Sequence, residues 1–357
     1  MSRKNIVATL AVLAVFCGLV YLQIRTWKKF DWHTFWSTTD HVYWPFVLAA
    51  VLITYALYIL RAVRWKIFLR PVRKDASLLG LLSPTLVGFA GLALLGRPGE
   101  LIRPYLIARK ENVTFSSQFA VWFVERIFDM ASVAIMFVVW GFIGDPLWDD
   151  VRSSTLYHGR TLHVTVEWSA ALFLAGIVAL TVAAVVLRFS GEAVANSLYN
   201  KLAPRSPKLA HGVRSKILAF TDGLKTIHDL ASFAQICLLS IFMWLLVALC
   251  YWLVLQSYGG QLALLGMPSI LLLMVVSMFG SLIQLPGVGG GSQLATIALL
   301  NNVFHIPNEI SVSCGMVLWA ATFMSVIPIG LLLARREHLS LRAVAQAEEK
   351  EEAALAE

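Results

Sequence analysis

The chain has 357 residues, of which 58% are hydrophobic and only 14% are charged. Soluble globular domains contain about 45–50% apolar and about 25% charged residues, so this composition excludes a soluble enzyme, a DNA-binding module and a secreted disulfide scaffold. The net charge of +8 is typical of Lys and Arg collected in cytoplasmic loops, and we expect no nucleic-acid partner. The sequence therefore predicts an all-α polytopic membrane protein.

Six apolar runs are each about 20 residues long, which is enough to cross the hydrocarbon core of a bilayer. They cover residues 6–24, 42–60, 119–143, 168–187, 233–255 and 310–333. The first is predicted to be a retained span and not a signal peptide, because no small-residue cleavage site follows it. The predicted membrane domain covers residues 1–334, and a polar cytoplasmic tail covers residues 335–357.

Two further apolar segments, residues 78–110 and 269–303, are interrupted by Gly and Pro at Gly96–Glu100 and Pro286–Gly291. Each is followed by a long predicted span. Interrupted segments at matching places in two halves are typical of an inverted-repeat transporter with a site near the membrane midplane. The alternative is an ordinary kink, since Gly and Pro are common in membrane helices.

Loop charges predict how these two segments lie in the membrane. Residues 61–77 carry six Lys and Arg, residues 144–167 are rich in acids, and residues 188–231 are basic. A single crossing by residues 78–95 would put the acidic loop inside and the basic loop outside, against the positive-inside rule. We therefore predict two re-entrant hairpins that enter the membrane from opposite sides, and a basic cytoplasmic loop at 188–231. The protein is expected in the inner (cytoplasmic) membrane of the cell, with both termini in the cytoplasm.

The first hairpin carries Arg97, Gly99, Glu100, Arg103 and Tyr105. The Gly/Pro break starts a new helix near Glu100, and a helix start attracts phosphate through its free N–H groups and its dipole. Arg97 and Arg103 are candidates to hold phosphate oxygens by charge-assisted hydrogen bonds.

The following span carries Glu125, Arg126 and Asp129. Ionisable groups at that depth cost roughly 2.5–3.5 kcal/mol each, so they pair or line a wet cavity. Glu125 and Asp129 share one helix face and would balance the arginines, while Arg126 is a third phosphate candidate. A purely structural ion-pair network, locking the hairpin to the next helix, explains the same pattern.

The break in the second hairpin is rich in glycine and has no Lys, so it is not a nucleotide-binding loop. We expect Gly289 and Gly290 to form a backbone-lined apex, with Gln284, Ser292 and Gln293 as neutral contacts. The alternative is a helix break that allows close packing.

No residues are spaced for nucleophilic catalysis, a metal or a cofactor, and none is expected. The four Cys lie in apolar stretches, and His158 and His163 lack metal-type spacing. Asp149 and Asp150 fit a solvated loop better than a metal site. The basic stretch 197–227 is predicted to touch anionic lipid head groups at the cytoplasmic face, or to be an ordinary solvated loop.

The run from Gly96 to Tyr105, with Glu125-Arg126 and Asp129 downstream, resembles the lysylphosphatidylglycerol synthase transmembrane family, also called flippase-like. The resemblance covers roughly residues 5–335, although the family usually has a glutamate where this chain has Gln293. It implies a protein that handles a membrane phospholipid or a polyprenyl-phosphate-linked lipid. Bifunctional members carry an aminoacyltransferase domain, but here only about twenty polar residues follow the last span, so we expect no enzyme activity.

The resulting hypothesis is a lipid transporter that binds an anionic, phosphate-bearing head group between the two hairpins. Two alternatives are a membrane-embedded transferase acting on a lipid-linked substrate and a scaffold for a separate lipid-modifying enzyme. A homo-oligomer is compatible with the sequence, which does not fix the oligomeric state.

Overall fold

The computed structural model describes residues 31–143, 155–156, 160–161, 175, 179, 182, 186–187, 189–204, 206–224, 229–282, 284–285 and 289–336. The described chain is helical, with two short antiparallel pairings of two residues each. Its first half contains α1 (Trp32–Asp40), α2 (Trp44–Leu69), α3 (Leu78–Leu95), a 3₁₀ turn (Arg97–Leu101), α4 (Ile102–Glu111), α5 (Phe115–Ile143), β1 (Thr155–Leu156) and β2 (Arg160–Thr161). Its second half contains α6 (Pro207–Leu224), α7 (Leu230–Tyr258), α8 (Gly260–Ala263), α9 (Met267–Gly280), β3 (Gln284–Leu285), β4 (Gly289–Gly290), α10 (Gly291–Asn302), α11 (Asn308–Thr322), a second 3₁₀ turn (Met324–Val326) and α12 (Ile327–Arg336).

Several described helices are suited to a membrane. The segments Trp44–Leu69, Leu78–Leu95, Leu230–Tyr258 and Asn308–Arg336 are long and apolar enough to cross one. Their outer faces carry large exposed apolar side chains, such as Leu52 and Leu238, which are 61% and 69% exposed. An exposed face of this kind belongs against lipid. The protein is therefore an all-α, multi-pass membrane protein, as predicted.

Helices α2 and α7 pack side by side in opposite directions. At one end the Tyr43 N–H donates to the Ser257 carbonyl at 2.8 Å, and at the other Arg70 donates to Gln235 at 2.9 Å. Each helix is followed by an interrupted hairpin and a further long helical segment. The inverted repeat itself stays a prediction.

Both interrupted segments are helical hairpins closed by glycine. In the first hairpin (α3, the 3₁₀ turn and α4), a Cβ at Gly99 would overlap the backbone of Gly91. In the second hairpin (α9, β3, β4 and α10), a Cβ at Gly280 would overlap the carbonyl of Gly291. The two arms of each hairpin thus touch backbone to backbone, which only glycine permits.

Each hairpin also packs against the other half of the molecule. Helix α3 lies against α12, where Gly330 meets Ala90, and α9 lies against α5. The largest apolar cluster surrounds α7, with Val254 and Leu255 fully or almost fully buried against Ile270 of α9. Each half of the chain therefore contributes a hairpin that packs against a helix of the other half.

The structure corrects two sequence predictions about loops. Residues 61–69 belong to helix α2, which extends to Leu69, so the predicted loop 61–77 begins only after it. The predicted basic loop 188–231 contains helix in residues 189–202 and in α6. Both errors arose because Lys and Arg were counted as loop residues, whereas their aliphatic stems also allow them to lie along helices.

The span predicted at 310–333 is interrupted at the Met324–Val326 turn. The predicted span 6–24 and most of 168–187 lie outside the described residues, as do Asp149, Asp150, His158 and His163.

Candidate functional site

A cluster of buried charges centres on Arg64 of α2, whose side chain is fully buried. Its guanidinium donates to Glu125 at 2.6 Å and to Asp129 at 2.7 Å. A third bond, of 2.8 Å, reaches the hydroxyl of Ser240 on α7. One arginine therefore joins three helices, α2, α5 and α7, through a planar donor group suited to two carboxylates.

The first hairpin is tied to the same carboxylates. Arg103 of α4 forms a two-pronged ion pair with Glu125, and its guanidinium lies 4.3 Å from the centre of the Trp65 ring. Arg126 approaches Asp129 at 3.1 Å, and its side chain is 33% exposed. The structure thus brings together Arg103, Glu125, Arg126 and Asp129, as the sequence predicted, around an arginine that the sequence did not single out.

The remaining first-hairpin candidates surround this cluster in different ways. Glu100 lines a narrow crevice with Arg103 and Arg126 whose volume is about 20 Å³, room for about one water molecule. Gly99 packs on the backbone of Gly91, and Tyr105 packs against an apolar cluster. The backbone of Arg97 begins the 3₁₀ turn, and its side chain lies outside the described residues.

A larger cavity of about 200 Å³ lies between the two halves. It is bounded by α2, α7, α9, α10 and α11, with Phe89 of α3 at one side. Its lining consists of Thr54, Leu57, Tyr58, Arg61, Phe89, Trp244, Val247, Cys250, Tyr251, Met274, Ser277, Met278, Ser281, Ser292, Gln293, Thr296, Gly315, Leu318, Trp319, Thr322 and Phe323. Among these residues Arg61 alone is charged.

Arg61 has no carboxylate within ion-pair distance among the described residues. Its guanidinium lies 4.9 Å from the centre of the Phe89 ring, and that of Arg103 lies 5.3 Å from the same centre. Phe89 therefore stands between the cavity arginine and the paired arginine of the first hairpin. An arginine held by an aromatic ring, with no carboxylate in ion-pair contact, is available to an anion.

The second hairpin contributes two of its predicted residues, Ser292 and Gln293, to the cavity. Gln293 also accepts the N–H of Gly290, which caps the start of α10. The backbones of Gln284 and Gly289 belong to the β3–β4 pairing that forms the hairpin turn, where Gln284 is opposite Gly290. Residues 286–288, at the predicted apex, lie outside the described residues, and the start of α10 lies beside the β3–β4 pairing.

Sequence reasoning missed Arg61 and Arg64. Both were counted in a cytoplasmic loop, although their spacing of three places them on one face of a helix. The usable signal was the pair of buried acids on α5, since two carboxylates in a membrane helix require cationic partners. Within the described chain no group of His, Cys, Asp and Glu is arranged to hold a metal ion.

A family model described as the lysylphosphatidylglycerol synthase TM region matches residues 6–330. The chain belongs to this family. The match associates it with a lipid-related function in a membrane. No curated protein and no solved structure was found to match the chain.

Proposed function

We propose that this protein moves a lipid with an anionic, phosphate-bearing head group between the leaflets of a cytoplasmic membrane, without chemically changing it. The head group is held in the cavity between the two halves, and the acyl or polyprenyl chains remain in the bilayer. Membership of a lipid-related membrane family supports the general class of function.

The observation that carries the proposal is Arg61, a charged side chain in an otherwise neutral cavity. A charge at membrane depth is costly unless it is paired or solvated. No described carboxylate pairs with it, whereas Arg64, Arg103 and Arg126 all contact Glu125 or Asp129. A phosphate would supply a direct ion-pair partner and accept two or more hydrogen bonds from the guanidinium.

The position of the cavity suits transport. It lies between the antiparallel helices α2 and α7 and beside the polar start of α10, and inverted-repeat transporters usually hold their substrate in such a position. The crevice beside Arg103 and Arg126 is ten times smaller than the cavity. We therefore assign phosphate binding first to Arg61. Contacts from Arg97, Arg103 and Arg126 remain predictions for a later step in which the crevice widens.

The proposal is tested by measuring leaflet exchange of a fluorescent phosphatidylglycerol in proteoliposomes. The native protein is compared with Arg61→Gln, which removes the charge and keeps a polar side chain. Arg70→Gln is the matched control, because Arg70 is exposed, directly follows the end of helix α2 and contacts Gln235.

We expect exchange by the native protein and Arg70→Gln, and a loss of about tenfold or more in Arg61→Gln, since one charge-assisted hydrogen bond contributes roughly 1.5–3 kcal/mol. All three proteins must first elute as folded species in detergent. Equal exchange by the two variants would overturn the assignment of Arg61. No exchange of any phospholipid or polyprenyl-phosphate lipid by the native protein would overturn the transport function itself.

A further inference from the structure

The charge of the cavity restricts the head group it accepts. Arg61 is the sole charged side chain among its lining residues, and none of them is Asp or Glu. Glu125 and Asp129 lie in the neighbouring cluster, where each contacts two or more arginines and where Asp129 also accepts the indole N–H of the lining residue Trp244 at 3.1 Å. An ammonium group entering with the phosphate would therefore lie near a guanidinium and find no carboxylate.

The cavity also offers hydrogen bonds that the protein itself does not use. The hydroxyl groups of Ser292 and Thr296 have no hydrogen-bond partner among the described residues, and they lie one helical turn apart on α10. The indole N–H of Trp319 on α11, which also lines the cavity, is buried without a hydrogen-bond partner among the described residues. Buried polar atoms are normally paired, so the unpaired Trp319 N–H, with two hydroxyls lining the same cavity, indicates a ligand with several hydrogen-bonding groups.

The spacing of these groups fits a small polyol. Residues four apart on a helix have Cβ atoms about 5–6 Å apart, which suits two hydroxyls on neighbouring carbon atoms of one molecule. The cavity volume of about 200 Å³ is below the roughly 300–1,000 Å³ of drug-sized ligand pockets. It has room for a phosphate and one glycerol- or monosaccharide-sized group.

We infer that the transported lipid carries a phosphate joined to a small neutral polyol and has no amine. Arg61 binds the phosphate, and Ser292, Thr296 and Trp319 bind the polyol. This inference rests on the proposed transport function. Two sources share the required chemistry, a glycerophospholipid with a polyol head group and a polyprenyl phosphate carrying a single sugar.

The test is a panel of fluorescent lipids in proteoliposomes of the native protein. It contains phosphatidylglycerol, phosphatidylinositol, a monoglycosyl polyprenyl phosphate, phosphatidate, phosphatidylethanolamine and lysylphosphatidylglycerol. We expect at least one polyol lipid to exchange about tenfold faster than both amine-bearing lipids. The polyol lipid that exchanges fastest shows whether the transported lipid is a glycerophospholipid or a polyprenyl phosphate that carries a sugar.

A double variant, Ser292→Ala with Thr296→Val, locates the polyol site. It should slow exchange of the preferred polyol lipid about tenfold, because it removes two hydrogen bonds, and leave phosphatidate unchanged. Ser197→Ala is the control, since Ser197 is an exposed hydroxyl on the helix at residues 189–202. Equal exchange of polyol and amine lipids by the native protein would overturn the head-group inference and leave transport standing. Absence of all exchange would overturn both.

Discussion

Removing Arg64 should be far more damaging to stability than removing Arg61, although the two arginines are neighbours on one helix face. Arg64 is fully buried and makes bonds of 2.6 Å, 2.7 Å and 2.8 Å to Glu125, Asp129 and Ser240. Arg64→Ala leaves both carboxylates buried with one cation fewer. Loss of one partner from a buried ion pair typically costs about 3–5 kcal/mol, and we expect a destabilisation in that range.

The assay is the free energy of unfolding in detergent, followed by tryptophan fluorescence against denaturant concentration. Arg61→Ala is the matched variant, because it breaks no ion pair among the described residues. A double-mutant cycle that combines Arg64→Ala with Asp129→Asn should show a coupling energy between the two side chains, since Arg64 donates directly to Asp129. If Arg64→Ala costs no more than Arg61→Ala, the cluster does not hold the helices together and the reasoning fails.

Two further predictions concern a close contact and a helix cap. Gly99→Ala should lower stability by about 1–3 kcal/mol, because the new Cβ overlaps the backbone of Gly91. Gly212→Ala is its control and should not destabilise the protein, since no atom lies within 4 Å of the new Cβ; thermal unfolding of both variants compares them. Asp229 caps α7 by accepting hydrogen bonds from the N–H and hydroxyl of Ser232, and these bonds lower its pKa from the usual 3.8. The ionised Asp229 therefore stabilises the protein above pH 3.8, and this stabilisation is lost as the pH falls through the lowered pKa. The free energies of unfolding of the native protein and Asp229→Ala should differ at pH 7 and become equal in acid.

The two hairpins and the buried acids were predictable from local sequence. A Gly/Pro break in an apolar run is visible without knowledge of the fold, and so are Glu125 and Asp129 four residues apart in an apolar helix. The glycines that close the hairpins were present in the breaks, but their contacts with Gly91 and Gly280 depend on the packing of two arms.

The cationic side of the site was not predictable in the same way. Arg64 is about sixty residues before its partners Glu125 and Asp129, so no local pattern joins them. Arg61 was assigned to a loop because a charge count does not show where a helix ends. The cavity itself is formed by six helices from both halves, and its unpaired hydroxyls become apparent only when those helices are assembled.

The central claim is that the lipid head group passes through the cavity, and the most direct test is to fill that cavity with a large side chain. Ser292→Trp places an indole in the space assigned to the head group, whereas Leu294→Trp places the same side chain on the same helix at a position that is 66% exposed. With both variants folded, the account predicts that leaflet exchange of phosphatidylglycerol is abolished in Ser292→Trp and retained in Leu294→Trp. Native exchange in Ser292→Trp would show that the lipid head group does not pass through this cavity.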